Sequence, residues 1–321
     1  MTLTRSEKIL GGVWGALVGD ALGVPVEFQE RRVRKKDPVA EMRGYGTFDL
    51  PPGSWSDDSS LMLCTVQSLV DGFDTDSMGK YFVEWLNNAH WTPYGLVFDV
   101  GYGTRQAIGR IDGGIPAQEA GGTEVSNNGN GSLMRILPVG LCCSPMAVPK
   151  MLSHIHRASS ITHGHPRSLM ACGIYCLMVR ELLSGIDTAD AYTSTMALTK
   201  TAYSRQPFDT ELPHFARLLE GTITDCPEDA IDSDGYVVHT LEAAFWCFLT
   251  TGSYREAVLK AVNLGYDTDT TAIVTGGLAG IYYGARSIPQ EWLNQIARRK
   301  EIEQLFILFA GKMAGNDHGP A

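Results

Sequence analysis

Two short segments, far apart in the chain, crowd carboxylates against the start of a helical pattern. Ser56-Asp57-Asp58 runs into Ser59-Ser60-Leu61-Met62-Leu63-Cys64, and Asp267-Thr268-Asp269-Thr270 runs into Thr271-Ala272-Ile273-Val274. Acidic residues at a helix N-terminus are favoured by the helix dipole and can cap free amides, so capping alone explains one such cluster. Two clusters in one chain admit a second reading. Adjacent carboxylates repel, and burying several of them without a cation is prohibitive. Hard oxygen donors with hydroxyls between them suit Mg²⁺ or Mn²⁺ rather than zinc. Asp57, Asp58, Asp267 and Asp269 could therefore hold two divalent cations, one carboxylate bridging. No HxxxH or paired-cysteine set competes for a softer metal.

These clusters need elements to position them, and the pattern is helical nearly throughout. Apolar periodicity predicts helices over 6–22, 58–72, 77–88, 99–111, 132–142, 147–158, 166–184, 188–202, 210–220, 236–250, 254–263 and 289–311, with another starting near Thr271. Ser6 is the expected N-cap of the first. Glycines 11, 15 and 19 form one stripe at spacing four, and 276, 280 and 284 form a second. Each glycine costs about 1 kcal/mol in a helix interior, so the two stripes predict close backbone packing of these two helices. The stretch 31–53, with its basic run Arg31, Arg32, Arg34, Lys35 and Lys36, reads as a loop that is solvated or guides an anion. The segment 121–131, GGTEVSNNGNG, is a second loop, and 312–321 reads as a frayed tail. The expectation is an all-α fold, a single compact multi-helix domain of orthogonal type over 1–321.

Composition narrows the function classes. The chain has 321 residues, 44% of them apolar and 19% charged, enough for a large buried core. A formal charge of −10 argues against nucleic-acid binding, which needs a basic surface. No uncharged apolar run reaches the ~20 residues of a membrane span; 9–26 comes closest and Asp20 interrupts it. Seven cysteines without CxxC pairing and no leader pattern point to the cytoplasm. Cys172 and Cys176 read as buried thiols.

Five motifs occur in order: Gly19-Asp20-Ala21-Leu22-Gly23-Val24-Pro25-Val26-Glu27-Phe28; Trp55-Ser56-Asp57-Asp58; Asn130-Gly131-Ser132-Leu133-Met134-Arg135; Thr162-His163-Gly164-His165-Pro166; and Gly265-Tyr266-Asp267-Thr268-Asp269-Thr270. Together, over roughly 8–285, they resemble the ADP-ribosylglycohydrolase family, which includes the dinitrogenase reductase-activating glycohydrolase and the ADP-ribosylarginine hydrolases. The resemblance implies an all-α fold with a binuclear Mg²⁺ or Mn²⁺ centre and hydrolytic removal of ADP-ribose from a modified protein side chain. It adds the hydroxyls of Ser56, where the family typically has Thr, and Thr270 to the ligands. It makes Asp269 the bridging carboxylate. Glu27 falls at an acidic residue on a mobile loop near the metals. Asp99, in Phe98-Asp99-Val100-Gly101, falls near the scissile bond in the arginine-directed branch. Asn127, Gly129, Asn130, Gly131 and Ser132 fall in the loop cradling ADP-ribose, and Tyr236 at an aromatic lining the cleft.

The groups available suit that reaction. A carboxylate can move a proton at the glycosidic bond, Asp99 can pair with a guanidinium leaving group, and glycine-rich amides before a helix start suit a pyrophosphate. His163 is a candidate substrate contact. Each of these residues has a structural rival: Glu27 as a salt-bridging loop residue, Asp99 as a helix cap, His163 and His165 as turn residues, Trp55 and Tyr236 as core aromatics. Asp20 reads as a tie for the glycine-rich helix rather than a ligand. Hydrolysis of ADP-ribosylarginine in a protein is the leading expectation. The alternatives are another ADP-ribose linkage (serine, nucleobase or small molecule), a catalytically silent ADP-ribose binder, or a two-metal phosphohydrolase.

Overall fold

A computed structural model describes residues 3–315, which form fifteen α-helices joined by short 3₁₀ turns and loops. Among the described residues the only β pairing is two isolated bridges, Gly122 with His163 and Gly129 with Tyr236. The all-α expectation is met. The helix boundaries differ from the sequence pattern in four informative places.

The first helix, Arg5–Gly23, is capped by Thr4 rather than Ser6. The Thr4 side chain accepts from the Glu7 amide, and the Glu7 carboxylate accepts from the Thr4 amide at 2.9 Å, a reciprocal capping box. This helix is the axis of the fold. Against it lies Thr268–Tyr283, and the two glycine stripes face one another as predicted. A Cβ on Gly11 would overlap the Gly280 carbonyl, one on Gly15 the Gly276 carbonyl, and one on Gly19 the Ala272 carbonyl. Only bare backbone permits this approach. Gly284 does not join the stripe; it ends the helix with φ +80°. The Arg5–Val26 stretch is long and apolar enough to cross a membrane by length and composition, Asp20 notwithstanding, but 94% of its apolar window is buried by its neighbours.

The basic run is a helix, Arg31–Lys36, not a loop. Arg31 donates to the carbonyls of Leu264, Glu228 and Ile231, and Lys35 pairs with Asp229 at 2.9 Å. Buried Arg34 donates to Gln29. These charges tie the run to the 228–233 and 264 segments, rather than lying free to guide an anion. The predicted helix 289–311 is two, Gln290–Gln295 and Arg299–Gly315. The break places the Ala297 amide on the Gly53 carbonyl (3.1 Å) and Arg298 on the Thr92 carbonyl (3.0 Å). Residues 312–315 are helical, and the rest of the expected tail, 316–321, lies outside the described residues. Cys172 and Cys176 are buried thiols, as read.

Candidate active site

Helix starts and loops from seven parts of the chain converge on one cleft of about 490 Å³. The first carboxylate pair opens the helix Asp57–Val70, where Ser56 is the N-cap and its hydroxyl accepts from the Asp58 amide at 3.2 Å. Asp20, on the glycine-rich helix and fully buried, accepts from the amides of Ser56 (3.0 Å) and Ser59 (2.9 Å). It braces the turn that aims Asp57 and Asp58, the tying role expected of it. Burial pushes the Asp20 carboxyl up to about 6, opposed by the bonds from Ser59 and Ser56.

The second pair opens Thr268–Tyr283. Asp267 is its N-cap residue, held by its amide on the Ser233 carbonyl (3.0 Å), and Asp269 lies in the first turn. The loop after Val24–Val26 brings in Glu27. The Phe28 amide donates to the Tyr266 carbonyl and the Tyr266 amide to the Gln29 carbonyl, each at 2.7 Å. Oxygens of Glu27, Asp267 and Asp269 then lie within 4.8 Å of one another.

The cluster is electrostatically untenable as a set of bare carboxylates. Burial first, and neighbouring carboxylates second, hold Asp57, Asp58 and Asp269 well above the ordinary range and raise Glu27 strongly. Asp267 is raised chiefly by burial, against the bond from Asn130. One oxygen each of Glu27, Asp58, Asp267 and Asp269 is buried with no hydrogen-bond donor. Convergent orphan oxygens of this kind fit a hard cation, which satisfies them and cancels the repulsion at once. The capping reading is also true for Ser56, but it accounts for none of these four atoms.

Asp99 lines the same cleft, with φ +57°; burial raises its carboxyl to about 7, against a hydrogen bond with Glu27. It is not a helix cap: the helix starts at Tyr102, with Gly101 at the N-cap. Asn127, Gly129, Asn130, Gly131 and His163 also line the cleft. The amides of Gly129, Gly131 and Ser132 donate to no acceptor among the described residues, and Gly129 and Gly131 lie on the cleft lining.

Three expectations change in detail. The Asn130 amide nitrogen is engaged, donating to Asp267 Oδ2 (2.8 Å) and Thr240 Oγ1 (2.9 Å), so its side chain orients a carboxylate. The Ser132 hydroxyl points into the core, beside Ser159 Oγ (2.9 Å) and Cys172 Sγ (3.4 Å). Tyr236 does not line the cleft: its hydroxyl accepts from Arg167 (3.0 Å), its ring stands edge-on to His239, and only its backbone meets Gly129. Trp55 is a core aromatic, and His165 caps the helix Pro166–Ser184. The sequence reading passed over Thr104 and Phe28, both on the cleft wall. Thr104 carried a usable signal, three residues after Gly101 in the segment that begins with Asp99.

The profile of the ADP-ribosylglycohydrolase family matches residues 1–318. The chain is 31% identical over 310 residues to ADP-ribosylarginine hydrolase Tri1 of Serratia proteamaculans, covering 94% of this chain and 80% of that protein. It is 28% identical over 304 residues to the ADP-ribosyl-(dinitrogen reductase) glycohydrolase of Rhodospirillum rubrum, covering 92% of each. A solved structure described as an ADP-ribosylglycohydrolase-related protein complex superposes with a TM-score of 0.80 at 34% identity, covering 97% of this chain and 99% of that one.

Proposed function

The chain belongs to the ADP-ribosylglycohydrolase family and is a hydrolase, and from that premise we propose that it removes ADP-ribose from arginine side chains of modified proteins by hydrolysis at ribose C1. The observation that carries the reading is the set of four donorless carboxylate oxygens on Glu27, Asp58, Asp267 and Asp269, the first three of which line the same cleft as Asp99. The relatives named for arginine linkages support the choice of bond.

In this reading Asp57, Asp58, Asp267 and Asp269, with the hydroxyls of Ser56 and Thr270, hold two divalent cations, Mg²⁺ or Mn²⁺. When bound, such ions supply Lewis-acid contacts for ribose hydroxyls and a water of lowered pKa. Asn130 fixes Asp267 by its 2.8 Å bond, and Asp20 fixes the Ser56–Ser59 turn. The amides at Gly129 and Gly131, with Asn127 and His163, receive the ADP-ribose diphosphate. Asp99 pairs with the guanidinium and exchanges the proton that the leaving nitrogen needs; a carboxyl raised to about 7 can both hold and release one near neutral pH. Glu27, whose charge the bound cations would offset, would accept the proton of the attacking water.

The test is release of free ADP-ribose from an arginine-modified protein in the presence of Mg²⁺ or Mn²⁺. Release that stops in Asp269→Asn supports the proposal. No release with either ion overturns it, and release only from serine- or nucleobase-linked substrates replaces the linkage.

A further inference from the structure

Arg135 is a fully buried cation with no carboxylate partner among the described residues. Its guanidinium lies over the Phe82 ring, 4.7 Å from the centroid, and donates from Nη1 and Nη2 to the Ala158 carbonyl, each at 3.2 Å. Nη2 also donates to Thr162 Oγ1 at 2.7 Å. A guanidinium can only donate, so the Thr162 oxygen is the acceptor in that bond. Its single hydroxyl proton then has one acceptor within reach among the described residues, His163 Nδ1 at 2.9 Å.

This fixes the imidazole. Nδ1 receives a proton in a hydrogen bond, so the ring carries its own proton on Nε2. Nε2 has no protein partner and faces the cleft, at the end of the ring that lies among glycines. A Cβ on Gly103 or on Gly129 would stand 3.5 Å from Nε2, and one on Gly131 would press to 2.8 Å from Cε1. The glycines therefore leave open the space in front of a buried N–H, next to the free amides of the 129–132 loop. Burial, and then the nearby guanidinium, lower the His163 imidazole to about 3, which keeps the ring neutral.

We propose that Arg135, Thr162 and His163 form a hydrogen-bond chain that locks His163 as the Nε2–H tautomer and presents that N–H, backed by the buried guanidinium charge, to a diphosphate oxygen of ADP-ribose. The proposal rests on the ADP-ribose reading for its ligand, but not for the tautomer. Arg135 and Thr162 are positioning residues: neither lines the cleft, and each acts through His163.

The experiment uses the full chain labelled with ¹⁵N-histidine. Long-range ¹H–¹⁵N spectra of ligand-free protein should show His163, assigned by its loss in His163→Gln, protonated on Nε2 alone from pH 6 to 8. Thr162→Val removes the only donor to Nδ1. It should redistribute the tautomers and weaken ADP-ribose binding by about 10- to 100-fold, the scale of one hydrogen bond to a charged group. Mn²⁺ affinity should stay unchanged, and Thr162→Ser should restore both tautomer and affinity. A wild-type spectrum showing Nδ1–H overturns the proposal, as does a folded Thr162→Val that binds ADP-ribose like the wild type. If the wild type itself fails to bind ADP-ribose, the functional reading falls, and the tautomer spectrum still decides whether the chain exists.

Discussion

The Phe28 amide donates to the Tyr266 carbonyl at 2.7 Å, and both residues sit in the left-handed region, with φ of +62° and +61°. Neither is glycine, and each such conformation costs about 1–3 kcal/mol. What this strain secures is the position of Glu27, one residue before Phe28, against Asp267, one residue after Tyr266. Two loops 238 positions apart are thus zipped together at the cation end of the cleft.

Breaking the zip should separate fold from site. Phe28→Pro removes the amide proton and demands a φ near −65°. The expected outcome is an unchanged helical circular dichroism spectrum with Mn²⁺ affinity, measured by electron paramagnetic resonance, weakened at least ~10-fold, equivalent to about 1.4 kcal/mol.

Asp269→Asn should move stability and activity in opposite directions. The change removes a carboxyl that must take up a proton to be buried among its neighbours, so without cations at neutral pH the variant should unfold at a higher temperature than the wild type. ADP-ribose release should fall by more than about 100-fold, the scale of losing a metal-supported step. A cation-free variant less stable than wild type would mean that the cluster is not held against its own repulsion.

Asp99→Asn should lower kcat by about 10²- to 10⁴-fold, the usual contribution of a positioned proton-transfer group. Calorimetric affinity for Mn²⁺ should fall much less than turnover, because Asp99 belongs to neither of the aspartate pairs that open the two helices. Equal losses in cation affinity and turnover would move Asp99 into the ligand set.

Stability without cations should fall as pH rises. Asp20 is raised to about 6 from its ordinary 3.8, and Asp57, Asp58 and Asp269 are also raised. The folded chain therefore binds protons that the unfolded chain has released. Its stability is greatest below about pH 4 for these groups, and is lost as pH climbs through their folded values. Cations take the place of those protons. Chelation should accordingly lower the thermal midpoint more at pH 8 than at pH 5.5; an equal drop at both would refute the linkage.

Gly276→Ala tests the backbone contact that anchors the second aspartate pair. Its new Cβ would overlap the Gly15 carbonyl. Alanine gains about 1 kcal/mol in helix propensity, so a net loss of about 1–3 kcal/mol in urea unfolding would show that overpacking prevails. A stabilised variant would show that the two helices can part without cost.

Much of the site could be read from the chain because its signals are local. A carboxylate pair at a helix start is visible as Ser56-Asp57-Asp58 or Asp267-Thr268-Asp269, and the glycines at spacing four announce a bare helix face wherever the partner lies. The helical fold followed from apolar periodicity for the same reason: it depends on neighbours within a few residues. The ordered motifs added the family and, with it, Glu27 and Asp99. The tertiary structure alone decided where ambiguous side chains turn. Asn130 faces Asp267, 137 residues away; Ser132 turns inward to Ser159 and Cys172; Tyr236 is drawn off by Arg167 and His239. Arg31–Lys36 became a helix because its charges found carbonyls and carboxylates near 228–231 and 264. A polar side chain has several acceptable partners, and which one it meets is set by long-range packing that no local spacing encodes. That is also why four aspartates could be identified as candidate ligands from the sequence, whereas the four oxygens left without donors appeared only once the chain had folded around them.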